Sequence, residues 1–117
     1  MNIILVIHDL IKKYWIILSL LLLLSISILS LWPRLNLQIG ISFHDKVFHF
    51  FAYSLLAFPV SIAKPKQIYL ILIFFVIFGG LIEVVQPLVN RSCDIFDFIA
   101  NLLGVYFAYL INNKLFS

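Results

Sequence analysis

Charge is what this sequence has least of. Asp, Glu, Lys and Arg make up 11% of its 117 residues, against about a quarter in a soluble domain. With a mean hydropathy of +1.16, the chain cannot assemble a water-facing surface, which excludes a soluble globular domain. Cysteine is nearly absent as well. Cys93 stands alone, so it forms no intramolecular disulfide and matches no metal-ligand spacing. No phosphate loop, nucleophile elbow, H-E-x-x-H or C-x-x-C pattern occurs, which removes the commonest motif-borne chemistries. The basic residues sit in turns rather than along a stripe, so the net charge of +3 describes topology and not nucleic-acid binding.

What fills the chain instead is hydrocarbon in long runs. Four apolar stretches lie between charged or Pro-containing breaks, and each is long enough to cross about 30 Å of bilayer at about 1.5 Å per residue. They predict helices over 14–32, 46–63, 67–86 and 93–112. The expected fold is an all-α membrane protein, with four transmembrane helices in a compact bundle forming one domain over residues 1–117. Tyr14, Trp15 and Trp32 fall where interfacial aromatics belong. The first run is too long for a signal peptide and lacks an A-x-A-like cleavage site, so it reads as a retained helix. Ahead of it, "MNIILVIHD" is apolar enough for a short helix lying at the interface.

The sidedness of lysine and arginine orients these helices. Lys12, Lys13, Lys64, Lys66 and Lys114 fall on one side and Arg34, Lys46 and Arg91 on the other. The positive-inside bias therefore puts both termini in the cytoplasm. Whichever way the bundle points, alternate crossings bring the start of the second predicted helix, the end of the third and the start of the fourth to one membrane face. The unusual polar residues gather at those three places. They are Asp45, Lys46, His49 and Tyr53, then Glu83 and Gln86, then Arg91, Asp94, Asp97 and Asn101.

Helical phase sorts them further. At 100° per residue, Asp94, Asp97, Asn101, Gly104 and Ala108 share an arc of about 80°, leaving Ile95, Phe96, Ile99, Leu102, Leu103 and Phe107 on the other face. The same sum aligns Gly79, Glu83 and Gln86, and separately Asp45, His49 and Tyr53. An Asp at a helix centre costs roughly 2.5–3.5 kcal/mol on insertion scales, while each large apolar residue returns about 0.3–0.6. The last helix would insert only marginally alone, so partners on other helices must satisfy its acids.

Intramembrane ionisable residues mark function by default. His49, Glu83 and Asp97 are the candidates for acid/base chemistry, His49 because imidazole titrates near neutrality. Asp45, Lys46, Tyr53, Gln86, Arg91, Asp94 and Asn101 are the candidate ligand-binding residues, with Lys46 and Arg91 supplying positive charge for an anion. A metal site of His49 with the carboxylates stays open, but one histidine without a cysteine set is weak evidence for it, so no metal or cofactor is expected. Two alternatives stay open: a buried ion-pair network that only fixes helix register, and a proton or ion pathway. A pathway needs polar residues down to the opposite face, and they thin out below Asn101 and Tyr53 into Gly104, Ala108, Leu56 and Val60. A dimer completing such a path also stays open.

Three blocks, "DKVFHFFAY", "EVVQ" and "RSCDIFDFIANLLG", together resemble the VanZ-like family of small membrane proteins over residues 45–104. The resemblance implies a multi-pass protein of the bacterial cytoplasmic (inner) membrane with its polar blocks facing outward. It further implies a link to glycopeptide (teicoplanin) resistance, while the convergence of both signs of charge at one membrane face makes membrane lipids or a lipid-linked envelope precursor the expected partners.

Overall fold

The computed structural model describes residues 2–32, 42–89 and 95–115, without the side chains of 42–45. Among them the chain is all-helical. The elements are α1 (Ile3–Lys13), α2 (Trp15–Leu31), α3 (Ser42–Ala63), α4 (Ile68–Val85) running into a 3₁₀ turn over Gln86–Val89, and α5 (Ile95–Leu115). Helices α3 and α5 and the α4 segment with its 3₁₀ turn are each long and apolar enough to cross a membrane. The pair α1 and α2 makes a fourth candidate crossing, broken by a bend of 78°.

Local chemistry explains the boundaries. Asn2 caps α1, its side-chain oxygen accepting from the Ile4 amide at 3.0 Å. Spacings of three and four residues put His8, Asp9, Lys12 and Lys13 together on one face of α1 and leave the rest apolar. Helix α3 ends where Lys64 enters the left-handed region at φ 50° and Pro65 follows. A proline in that place stops the helix and starts the turn into α4. Pro59 lies inside α3 and is buried there.

The bundle is sorted as a membrane protein must be. Tyr53, Leu56, Ala57, Val60, Leu72, Phe75, Val105 and Ala108 form its apolar core with Ile26 of α2. On α5 the predicted phase holds: Asp97, Asn101, Gly104 and Ala108 are buried. Ile95, Phe96, Ile99, Leu102, Leu103 and Phe107 face outward, an apolar surface suited to lipid.

Helices α3 and α5 make the closest contact, and Gly104 permits it. A Cβ on Gly104 would stand 2.3 Å from the Phe50 carbonyl oxygen and 3.1 Å from the Ser54 nitrogen, both backbone atoms. Bare backbone at this position lets the two helices approach, as small residues do throughout membrane bundles. The Ser54 hydroxyl donates to the Gly104 carbonyl at 3.0 Å across the same contact.

Some polar atoms along the helices are handled locally. Ser25, Ser27 and Ser61 donate to the carbonyls four residues back, which satisfies a hydroxyl without a partner helix. Tyr69 of α4 and Tyr109 of α5 pair their hydroxyls at 2.9 Å, tying together the start of one helix and the end of the next.

Candidate functional site

The polar stripes of α3, α4 and α5 meet at one end of the bundle. His49 comes from the second turn of α3, Glu83 from the last turn of α4 and Asp97 from the first turn of α5. Each is 5% exposed or less. His49 Nε2 stands 3.8 Å from Glu83 Oε1 and 3.7 Å from Asp97 Oδ2, so one imidazole edge faces two carboxylates from two other helices. The three side chains can each offer a ligand atom with all of these within 4.8 Å of one another.

The other ring nitrogen has a different neighbour. His49 Nδ1 lies 3.0 Å from Asn101 Oδ1, one turn further along α5 than Asp97. An amide oxygen only accepts, so this contact places a ring proton on Nδ1 and turns Nε2 toward the carboxylates. Asn101 thus orients His49. At the rim, Lys46 Nζ sits 3.6 Å from Asp97 Oδ1 and 5.9 Å from the centre of the Phe96 ring. Its side chain keeps 27% exposure, so the cluster has a cation at the border between protein and surroundings.

The floor is made by Tyr53, Asn101 and Gly79. A Cβ on Gly79 would meet Asn101 Nδ2 at 2.9 Å and the Tyr53 ring at 3.1 Å, so α4 presents bare backbone to both. The Tyr53 hydroxyl and Asn101 Nδ2 are buried and have no hydrogen-bond partner among the described residues. Buried polar groups of this kind are normally satisfied by protein, water or ligand.

Of the ten sequence candidates, six therefore come together: Lys46, His49, Tyr53, Glu83, Asp97 and Asn101. Gln86 goes elsewhere, although it shares the stripe of Glu83. Its amide nitrogen donates 3.1 Å to the Ser30 carbonyl of α2, which fastens the end of α4 to a helix outside the cluster. Arg91, Asp94 and the Asp45 side chain lie outside the described residues. Sequence reasoning passed over the α2 serines. Ser19 and Ser30 are buried, and their spacing of eleven residues, about three turns, was the available signal.

An uncharacterised protein of the fission yeast Schizosaccharomyces pombe is 34% identical over 111 residues, covering 90% of this chain and 66% of the yeast protein. The chain is similar to it along most of its own length. It spans just under two thirds of that relative. No protein-family model and no solved structure matches the chain. The relative is eukaryotic, so the likeness carries neither a bacterial source nor an inner-membrane location. Independently of source, the described residues hold three helices long and apolar enough to cross a membrane, or four crossings if the bent α1–α2 pair counts as one.

Proposed function

We propose that this chain is a VanZ-like integral membrane protein whose polar end binds the anionic headgroup of an envelope lipid or lipid-linked precursor. One observation carries the reading: ionisable side chains from three helices converge, buried, at one end of the bundle, with the partly exposed Lys46 at the rim. Interhelical polar contacts in membranes contribute about 0.6 kcal/mol on average. That is small against the cost of burying two carboxylates, so a purely structural role explains the cluster poorly.

In this reading the chain crosses four times with both termini cytoplasmic, following the distribution of its basic residues, and the cluster opens outward in a bacterial inner membrane. An apolar cavity of about 210 Å³ between α3 and α5, lined by Phe51, Leu55, Phe58, Phe107 and Ile111 among others, is suited to hydrocarbon running down from the headgroup. The belt of Leu56, Ala57, Val60, Leu72, Phe75, Val105 and Ala108 below Tyr53 and Asn101 favours a closed pocket over an ion pathway. A change in teicoplanin susceptibility on expression is the phenotype this reading attaches to the pocket.

The test is native mass spectrometry of the full chain in detergent, titrated with phosphatidylglycerol, a polyprenyl phosphate or phosphatidylcholine. Selective retention of the two anionic lipids is expected, weakened about fivefold in Lys46→Ala, from about 1 kcal/mol per basic residue near a lipid surface. Equal retention of the zwitterionic lipid, or no change in a folded Lys46→Ala variant, sinks the proposal.

A further inference from the structure

We infer that His49, Glu83 and Asp97 form a binding site for a divalent cation of the zinc or manganese class, with coordination positions left open toward Tyr53 and the polar end of the bundle. This goes beyond headgroup binding and needs no lipid to hold. The donor set comes first. One imidazole nitrogen and two carboxylates suit borderline and hard first-row ions. Three protein ligands with remaining positions open are the pattern of reactive rather than purely structural sites.

Geometry supports the same ion. A cation at about 2.0–2.2 Å from its donors needs donor separations of roughly 3.0–3.6 Å. The two imidazole–carboxylate separations of 3.7 and 3.8 Å exceed this by a few tenths of an ångström, and all three donors lie within 4.8 Å of one another, gaps that side-chain torsions close. The donors are also buried and arise from three separate helices, so the bundle itself fixes their convergence.

The surroundings are those a metal ligand needs. Ligating histidines hand their second nitrogen to an outer acceptor that fixes the tautomer, and here Asn101 Oδ1 accepts from Nδ1 at 3.0 Å. Asp97 directs Oδ2 at the imidazole and Oδ1 at Lys46, a division suited to a monodentate ligand steadied by a lysine. Independently, the buried Tyr53 hydroxyl and Asn101 amide nitrogen, both beside Gly79 and lacking partners among the described residues, offer hydrogen bonds to water or an anion completing the ion's shell.

The experiment uses the full chain in detergent micelles, stripped with a chelator and then titrated with Co²⁺, followed by visible absorption, and with Zn²⁺, followed by calorimetry. One equivalent per chain is expected. Glu83→Gln and Asp97→Asn, which keep side-chain shape, should each weaken binding at least tenfold. Asn101→Leu should weaken it by about 10–100-fold, the range for outer-sphere partners of ligating histidines. His49→Cys should bring a thiolate-to-cobalt charge-transfer band, a signature that no merely structural role of His49 produces. Absence of saturable binding in the folded wild type, unchanged affinity in both carboxylate variants, or cobalt binding to His49→Cys without that band overturns the site. Lipid retention without cation binding leaves the headgroup reading and removes this one. Cation binding without selective lipid retention does the reverse.

Discussion

Replacing Gly104 with alanine should force α3 and α5 apart and disable the polar cluster from a distance. The added Cβ would lie 2.3 Å from the Phe50 carbonyl oxygen, whereas carbon and oxygen in close helix contacts sit about 3.3–3.6 Å apart. The helices must separate by about 1 Å, because the obstacle is backbone and no side chain can swing aside. The Ser54–Gly104 hydrogen bond, now 3.0 Å, stretches beyond useful length, and the His49–Asn101 contact at 3.0 Å goes with it if α5 moves as a rod. Overpacking of this kind costs about 1–3 kcal/mol, with about 1 kcal/mol more from the weakened hydrogen bonds. Gly80→Ala is the control, since its Cβ would meet the Phe98 ring at 3.0 Å and a ring can rotate away. Equilibrium unfolding in mixed micelles should separate the two variants by at least about 1 kcal/mol. If Gly104→Ala matches Gly80→Ala and leaves the His49 ring resonances unshifted, the close contact does not set the site.

Further substitutions test single contacts. Gln86→Leu removes the amide that reaches the Ser30 carbonyl and should cost about 0.5–1.5 kcal/mol, read in the same unfolding assay, with the His49 cluster undisturbed. Tyr53→Phe deletes a buried hydroxyl with no partner among the described residues, so stability should hold or rise; a loss of cobalt affinity in that variant would place the hydroxyl at the ion's shell. Lys64→Gly relieves a left-handed residue, φ 50°, and should stabilise the chain by up to about 1 kcal/mol, glycine's freedom at positive φ being partly offset by its unfolded-state entropy.

Much of the site was readable because helical phase is a one-dimensional property. Asp97, Asn101, Gly104 and Ala108 share a face by spacing alone, and that face is buried while Phe96, Ile99 and Leu103 look outward. Alternation of crossings likewise put His49, Glu83 and Asp97 at one end before any contact was known. Relative rotation and height of neighbouring helices are not written in any one run, so individual contacts are not legible there. Phase puts Asn101 on the face of Asp97 but does not say that its oxygen meets His49. Gln86 shares the phase of Glu83 but turns to α2, because a three-residue step on a helix rotates 300° and climbs about 4.5 Å, enough to change neighbours. Helix ends were blurred by a few residues: α3 begins at Ser42 and α5 runs to Leu115, since polar residues at a membrane border continue a helix as readily as they end it.

The bend between α1 and α2 bears on where such a bundle can live. With 17 residues, α2 measures about 26 Å against about 33 Å for the 22 residues of α3 at 1.5 Å per residue. Its start is pinned to a corner by an amphipathic helix turned 78° aside. If α2 crosses with α1 at the interface, as in the four-crossing reading proposed above, a short helix is accommodated by thinning the bilayer, by flanking residues reaching outward or by association. That reading makes thin membranes the better host, with the mismatch of a thick, sterol-rich one falling on α2 first.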